Sequence, residues 1–243
     1  MYNKYSHQYN HWCQFYDENS EEMRIIHRYL NFENTDVLEV GCGTGRFTQK
    51  ILADNPLSII AIDNDKESIK IAQSNCSDSK VRFIPLDANE LNHHYSSQLF
   101  DYVVFSWSIN YILDYYRVLE SALSCCKKNG KIVILFPCAS EYSNLIKSIK
   151  NDGSDNCFSK ELYESIKNFF IDNNLNIYED EIITNFTYPS EKEAYESNLF
   201  HWKAVDIPLT EKETTVFRKK LKKYEKNEKI CIQDKVKLLI GGK

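Results

Sequence analysis

The chain has 243 residues, of which 42% are hydrophobic and 27% charged, and a formal net charge of −5. That length suits one α/β domain with a modest insertion, and the apolar fraction supports a packed core. An acidic balance argues against a nucleic-acid partner, and no apolar run approaches the roughly 18 residues a membrane span requires.

The start, Met1-Tyr2-Asn3-Lys4-Tyr5, has no signal-type apolar stretch. Residues 2–30 read as helical, with an amphipathic stretch from Ser20 to Leu30. Asp36–Val40 is a short buried strand ending in a glycine turn, followed by a helix from Arg46 to Asp54. The alternation continues with a strand at Ser58–Ile62, a helix at Lys66–Asn75, and strands at Val81–Pro85 and Asp101–Phe105. Tyr115–Lys127 is predicted as a helix stopped by Asn129-Gly130, and Lys131–Phe136 as the fifth strand. Strands alternating with helices of this length imply parallel pairing and right-handed crossovers. Beyond Pro137, helices are expected at Ser140–Lys150, Ser159–Asn173, Glu191–Trp202 and Glu211–Lys226. Strands at Asn176–Thr187 and Lys229–Ile240 would complete a seven-stranded sheet.

The eight cysteines are scattered and form no C-x-x-C pair, which favours reduced thiols in a cytoplasmic protein over zinc or disulfides. His93-His94 lie in a polar loop without metal-ligand spacing, so no metal site is expected. The basic run from Arg218 to Lys229 reads as the solvated face of an amphipathic helix.

The strongest feature is Val37-Leu38-Glu39-Val40-Gly41-Cys42-Gly43-Thr44-Gly45. A buried strand turning sharply into a helix while its backbone approaches a ligand needs glycine, and the helix start favours an anionic group. The third glycine falls one residue earlier than in the dinucleotide fingerprint, and position 46 is arginine. Ala61-Ile62-Asp63 places a carboxylate, followed by Asn64, where it can accept hydrogen bonds from both hydroxyls of a ribose. Val81 to Ala88 brings Asp87 to the same sheet edge, where it can accept from an adenine amine. Phe100 to Ser106 leads a fourth strand into that crevice.

This stretch, Val37 to Pro137, resembles the class I S-adenosylmethionine-dependent methyltransferases, through E-V-G-C-G-T-G, the strand-end aspartate, L-D-A, F-D-Y-V-V and N-G-K-I-V-I-L. The resemblance implies a Rossmann-like α/β fold, a seven-stranded mostly parallel sheet flanked by helices. It also implies an S-adenosylmethionine site, leaving S-adenosylhomocysteine as product. Gly41, Cys42, Gly43 and Gly45 would lie against its methionine and ribose parts, and Glu39 would order the amino-acid end. Asp63 would hold the ribose hydroxyls, with Asn64 also on the cofactor, Asp87 and the Ala88 N–H the adenine, and the Ser106 carbonyl the ammonium. The aromatic N-terminus and long tail look closest to small-molecule enzymes of the trans-aconitate and ubiquinone-pathway type. The expected organisation is a single domain with a lid of helices at 1–30, a core at 31–137, and sheet completion plus acceptor cover at 138–243.

Acceptor-pocket candidates are Tyr16, Trp107, Tyr111, Phe200 and Trp202, aromatics that suit a mostly apolar cleft. His201, His11 and Tyr111 are the candidate catalytic groups, His201 foremost as a base. The place after the fourth strand holds Ser106-Trp107-Ser108-Ile109, without the Asp/Asn-Pro-Pro-aromatic turn of base-amine methyltransferases. Acidic metal ligands of the catechol enzymes and the paired-glutamate loop of arginine methyltransferases are also missing. The expected reaction is methyl transfer to an O or N atom of a small molecule, with no nucleic acid or membrane partner. The rival readings are a cofactor-binding protein that does not methylate and an NAD-dependent dehydrogenase.

Overall fold

The computed structural model describes residues 4–95, 99–150, 159–204 and 206–242, so Cys157 and the first three residues lie outside it. Five parallel strands form most of the sheet: β1 (Asp36–Val40), β2 (Ser58–Asp63), β3 (Val81–Pro85), β4 (Phe100–Ser106) and β5 (Cys126–Pro137). β6 (Asn176–Tyr188) and β8 (Lys229–Gly242) complete it, with a two-residue β7 (Glu225–Lys226) paired to β8. The order is β3-β2-β1-β4-β5-β8-β6, with β8 antiparallel to both of its neighbours. The chain thus winds outward from β1 in one direction to β3 and in the other to β5, opening a crevice at the carboxyl ends of β1 and β4.

Both faces of the sheet are covered, which is why its central strands are apolar on both sides. On one face, Leu38 and Val40 pack with α5 (Leu91–Tyr95), α6 (Tyr115–Ser124) and α8 (Lys160–Asp172). On the other, Val37 and Val104 pack with α1 (Ser6–Cys13), α2 (Glu21–Ile26), α3 (Arg46–Ala53) and the C-terminal helices. α4 (Lys66–Asn75) is capped by the Asp65 carboxylate, which accepts from the N–H groups of Glu67 and Ser68. The Ser6 hydroxyl of α1 also donates to Asp65, at 2.7 Å, fixing the N-terminal helix over the crevice.

The segment between α1 and α2 crosses the outer edge of β6. Tyr16 and Phe186 form a single antiparallel bridge, flanked by Asp17 N–H to Asn185 C=O at 3.0 Å and Thr187 N–H to Phe15 C=O at 2.8 Å. A continuous N-terminal helix is therefore excluded, because these residues are spent on the sheet.

Three further expectations are corrected. The helix predicted to reach Lys127 ends at Ser124, and residues 126–130 extend β5 instead. Asn129-Gly130 mimics a helix stop, but a Cβ on Gly130 would lie 2.9 Å from the Phe100 carbonyl, so the glycine serves strand contact. Lys127 is drawn to the sheet by Asp36 and Asp101, at 3.0 and 2.8 Å. The helix expected at Glu191–Trp202 is interrupted at Leu199, giving α9 (Glu191–Asn198) and α10 (Phe200–Lys203). The last helix, α11 (Glu211–Leu221), stops five residues early. Asn227 and Glu228, both at positive φ, then make the two-residue turn of the β7–β8 hairpin.

Among the described residues no helix is long and apolar enough to cross a membrane, and the seven described cysteines are free thiols.

Candidate functional site

The glycine turn is strapped at every residue. The N–H groups of Gly41 and Cys42 donate to the Ile62 carbonyl at 2.8 and 2.9 Å, which ties the turn to β2. Gly41 has φ of +76°, and a Cβ there would lie 2.4 Å from Ser108 Cβ. Ser108 comes this close because its hydroxyl donates to the Val40 carbonyl at 2.5 Å. Both the backbone angle and the space therefore require glycine at position 41.

Asp63, at the tip of β2, accepts from the Gly43 N–H on Oδ2 at 2.8 Å and from the Asp65 N–H on Oδ1 at 2.9 Å. Burial pushes its carboxyl up, against the pull of those two N–H groups. Each oxygen keeps a second lone pair for a ligand hydroxyl. Asp87, beyond β3, accepts from the Asn89 backbone and side-chain N–H groups at 2.8 and 2.9 Å, which opens a 3-10 turn beginning at Ala88.

These strand tips line one cleft of about 480 Å³, within the range of small-molecule sites. Its nearer end holds Asp63, Asn64, Asp87 and Ala88, and its middle holds Glu39, Gly41, Cys42, Gly43 and Ser106. Its far end is closed by Tyr9 and Trp12 of α1, Tyr142 of α7 (Glu141–Lys147), His201 and Trp202 of α10, and Asp234 of β8.

Glu39 is 1% exposed, and its Oε2 accepts from the Thr48 hydroxyl at 2.5 Å. Its Oε1 and the neighbouring Thr44 Oγ1 are buried without a partner. Burial pushes the Glu39 carboxyl up to about 7. An orphaned carboxylate oxygen facing a polar cleft fits a ligand ammonium, so these residues suit an adenosyl amino acid. Glu39 and Asp234, the latter also raised to about 7 by burial, should make the unliganded fold more stable at pH 5.5 than at pH 8. Both groups bind more protons folded than unfolded between the ordinary carboxyl range and about 7, so stability falls as pH rises through that window, by at least about 1 kcal/mol. Thermal melts across that range check this, and Glu39→Gln should flatten the slope.

A buried charge network sits behind the glycine turn. Arg46 donates to Glu22 Oε2 at 2.6 Å, and its guanidinium lies 4.9 Å from the centre of the Tyr16 ring. Glu22 Oε1 accepts from Trp107 Nε1 at 3.1 Å and Tyr16 OH at 3.2 Å. Lys50 reaches Glu22 at 3.5 Å and bonds Asp17 more closely. Burial opposes ionisation of Glu22, but Arg46 and Lys50 outweigh it and hold the carboxyl below its usual range. Trp107 adopts φ of +59°, a strained conformation for a bulky residue that the indole bond to Glu22 helps to hold.

At the far end a relay of hydrogen bonds fixes one tautomer. The Asn198 NH₂ donates to the Ala194 carbonyl at 2.7 Å and to Tyr188 OH at 3.0 Å. Asn198 Oδ1 must then accept, and it does so from Tyr142 OH. With its hydrogen spent there, Tyr142 receives Trp12 Nε1–H at 2.9 Å and His201 Nε2–H at 2.9 Å. His201 is thus the Nε2–H tautomer, with a lone pair on Nδ1. Burial pushes its imidazolium down to about 3, so it is neutral across the physiological range and a weak proton acceptor.

Of the residues singled out in the sequence, Glu39, Gly41, Cys42, Gly43, Asp63, Asn64, Asp87, Ala88, Ser106, Trp107, Tyr111, His201 and Trp202 line the cleft. Gly45 does not; with φ of +83° it starts α3, and a Cβ would press on Ala72 at 3.2 Å. Tyr16 and Phe200 stand in the layer behind the wall, and Phe200 packs edge-on to Trp12 with centroids 5.8 Å apart. His11 lies outside the cleft lining, paired with Glu193 at 2.6 Å and half exposed. Sequence reasoning missed Arg46, Glu22, Tyr142 and Asp234. Asp234 carried a signal: it occupies the buried phase of Ile230, Ile232, Asp234, Val236 and Leu238, where alternation calls for an apolar residue.

Comparison with known proteins agrees with this geometry. A family model described as a methyltransferase domain matches residues 31–202. The chain is 29% identical over 104 residues to demethylmenaquinone methyltransferase of Shouchella clausii, covering 42% of this chain and 44% of that protein. It is 27% identical to trans-aconitate 2-methyltransferase of an Enterobacter species, covering 42% and 39%. The matched region spans less than half the length of these curated relatives. In three dimensions the YcgJ protein of Bacillus subtilis is similar, with a TM-score of 0.60 at 16% identity over 93% of this chain and 98% of that one. The chain belongs to the methyltransferase-domain family.

Proposed function

We propose that the protein methylates an O or N atom of a small-molecule acceptor held at the aromatic end of the cleft. The observation that carries this reading is the continuity of the cleft, from the carboxylates of Asp63 and Asp87 past the glycine turn to Trp12, Tyr142 and Trp202. When bound, S-adenosylmethionine supplies a sulfonium methyl group that is electrophilic without help from the protein. Asp63 and Asn64 hold the ribose, Asp87 and the Ala88 N–H the adenine, and Glu39 with the Ser106 carbonyl the ammonium. Holding two reactants in line contributes up to about 7–11 kcal/mol, and the aromatic wall keeps water from the reacting atoms. His201 serves by offering Nδ1 as a fixed hydrogen-bond acceptor, and Tyr111 borders the acceptor. The domain works as one unit, residues 1–30 covering the core of 31–137 and residues 138–243 completing the sheet and the acceptor cover.

Asp63→Ala is expected to weaken S-adenosylhomocysteine binding by about 1.5–3 kcal/mol, roughly ten- to a hundredfold, through lost charge-assisted bonds and a loosened Gly43. Calorimetry on the folded variant checks it, and unchanged affinity would remove Asp63 from the site. S-adenosylhomocysteine production over a panel of small acceptors tests the transfer itself. Tight cofactor binding with no turnover would favour a protein that binds the cofactor without methylating.

A further inference from the structure

Asp234 is not among the residues assigned above to the cofactor, yet the fold brings it to the same cleft. β8 runs antiparallel to β5, so the first half of β8 meets the carboxyl end of β5: Val236 pairs with Pro137, and Cys138 N–H donates to the Lys235 carbonyl at 3.0 Å. Asp234 lies on the inward phase of β8, is 4% exposed and lines the cleft. Ser140 and the Lys235 backbone N–H pull its carboxyl down, against the larger push of burial.

The local charges do not balance without a ligand. Arg46 is matched by Glu22 and Lys50 by Asp17, and these two acids have fully buried side chains. Asp234 is the remaining acid of this cluster, and among the described residues no cation pairs with it. Glu39 is likewise without a cationic partner, but it sits at the cofactor end. Lys147 and Lys150 also line the cleft; Lys150 is engaged by the Pro208 carbonyl at 3.1 Å and lies 3.6 Å from Glu213, and Lys147 is not free either.

The surroundings present electron-rich groups. The Nε2–H of His201 is spent on Tyr142, which leaves the imidazole an Nδ1 lone pair, and the rings of Trp12 and Trp202 line the same cleft. A cleft that holds an unpaired carboxylate and indole rings is a setting that attracts cations and repels carboxylates. Resting on the small-molecule reading above, we propose that Asp234 and these aromatic side chains recognise an ammonium group, so that the acceptor is an alkyl amine; for that nitrogen to take the methyl group it first gives a proton to the Asp234 carboxylate, which frees the lone pair that attacks. Burial raises the proton affinity of Asp234, and an ammonium beside it would draw the carboxyl back down.

The test is calorimetric titration with 2-phenylethylamine, 2-phenylethanol and phenylacetate, three probes of similar shape and different charge. Each is titrated into the full chain alone and into the chain saturated with S-adenosylhomocysteine. The amine is expected to bind at least about tenfold more tightly than the alcohol, and Asp234→Asn to remove at least about tenfold of its affinity. Equal or tighter binding of the alcohol or of phenylacetate, or a folded Asp234→Asn with undiminished amine affinity, overturns the proposal.

Should Asp234→Asn fail to fold, pH serves instead. Glu22, Tyr16, Cys138 and Tyr188 face Asp234 from the elements around it; burial raises the phenols and the thiol, and Glu22 stays ionised. In the Glu39→Gln background, amine affinity should fall severalfold between about pH 8 and about pH 6, as Asp234 takes up a proton. A flat profile there also overturns the proposal. Cofactor binding with phenylacetate preferred would sink the amine and leave methyl transfer standing. Failure to bind S-adenosylhomocysteine would sink methyl transfer, while the amine titration of the unliganded chain still reads Asp234.

Discussion

Replacing Glu22 with alanine is expected to destabilise the protein by about 3–5 kcal/mol, the cost of leaving a buried cation without its partner. The Glu22 side chain is fully buried and those of Arg46 and Lys50 are only 17% and 15% exposed, so water cannot take its place. Trp107 Nε1 and Tyr16 OH lose their acceptor as well, and with it the support for the strained backbone of Trp107. For a domain of this size the loss corresponds to a fall of roughly 6–20 °C in melting temperature. Glu22→Gln, which keeps an acceptor oxygen, should lose less. Removing both charges, as Glu22→Leu with Arg46→Leu, should cost less than the sum of the single changes. A shift under about 2 °C for the alanine variant would mean that solvent reaches the pair.

Gly41→Ala is the second large effect, and it has two separable parts. The left-handed backbone costs about 1–2 kcal/mol for a residue with a Cβ. The 2.4 Å approach to Ser108 adds about 1–3 kcal/mol of overpacking. Ser108→Gly removes the opposing Cβ and should recover the second part alone. Denaturant unfolding of the two single variants and the double variant reads the coupling directly, expected at about 1–3 kcal/mol. Cofactor affinity should fall in Gly41→Ala, since displacement of the turn moves Gly43 from Asp63. Additive effects would show that the turn relaxes away from Ser108.

The parallel half of the sheet was legible because its strands are short apolar runs alternating with helices, and Asp65, which caps α4, marks its start almost unaided. The cofactor end was legible for the same reason: glycines and acids fall at strand tips, and strand tips converge in this topology. The boundary at Ser124 was not, since Asn129-Gly130 is a convincing local stop and only the approach of the Phe100 carbonyl reveals its use. His11 and His201 look alike as neighbours of aromatic residues, but one meets Glu193 at the surface and the other a buried tyrosine. Glu22 reads as an ordinary first-turn acid of α2; its burial depends on Arg46 and Lys50 arriving from α3. Asp234 could have been found, because a carboxylate in the inward register of an alternating strand demands an explanation.

The crossing of residues 15–17 over β6 has a consequence for solubility. β6 ends the sheet, and its central part is guarded by Glu179, Asp180 and Glu181, charges that discourage a second molecule from adding a strand. Further along, at Asn185 to Thr187, the N-terminal segment takes up the edge N–H and C=O groups in their place. Trimming that segment would bare the strand edge beside the buried rings of Phe186 and Tyr188, and is expected to favour strand pairing between copies.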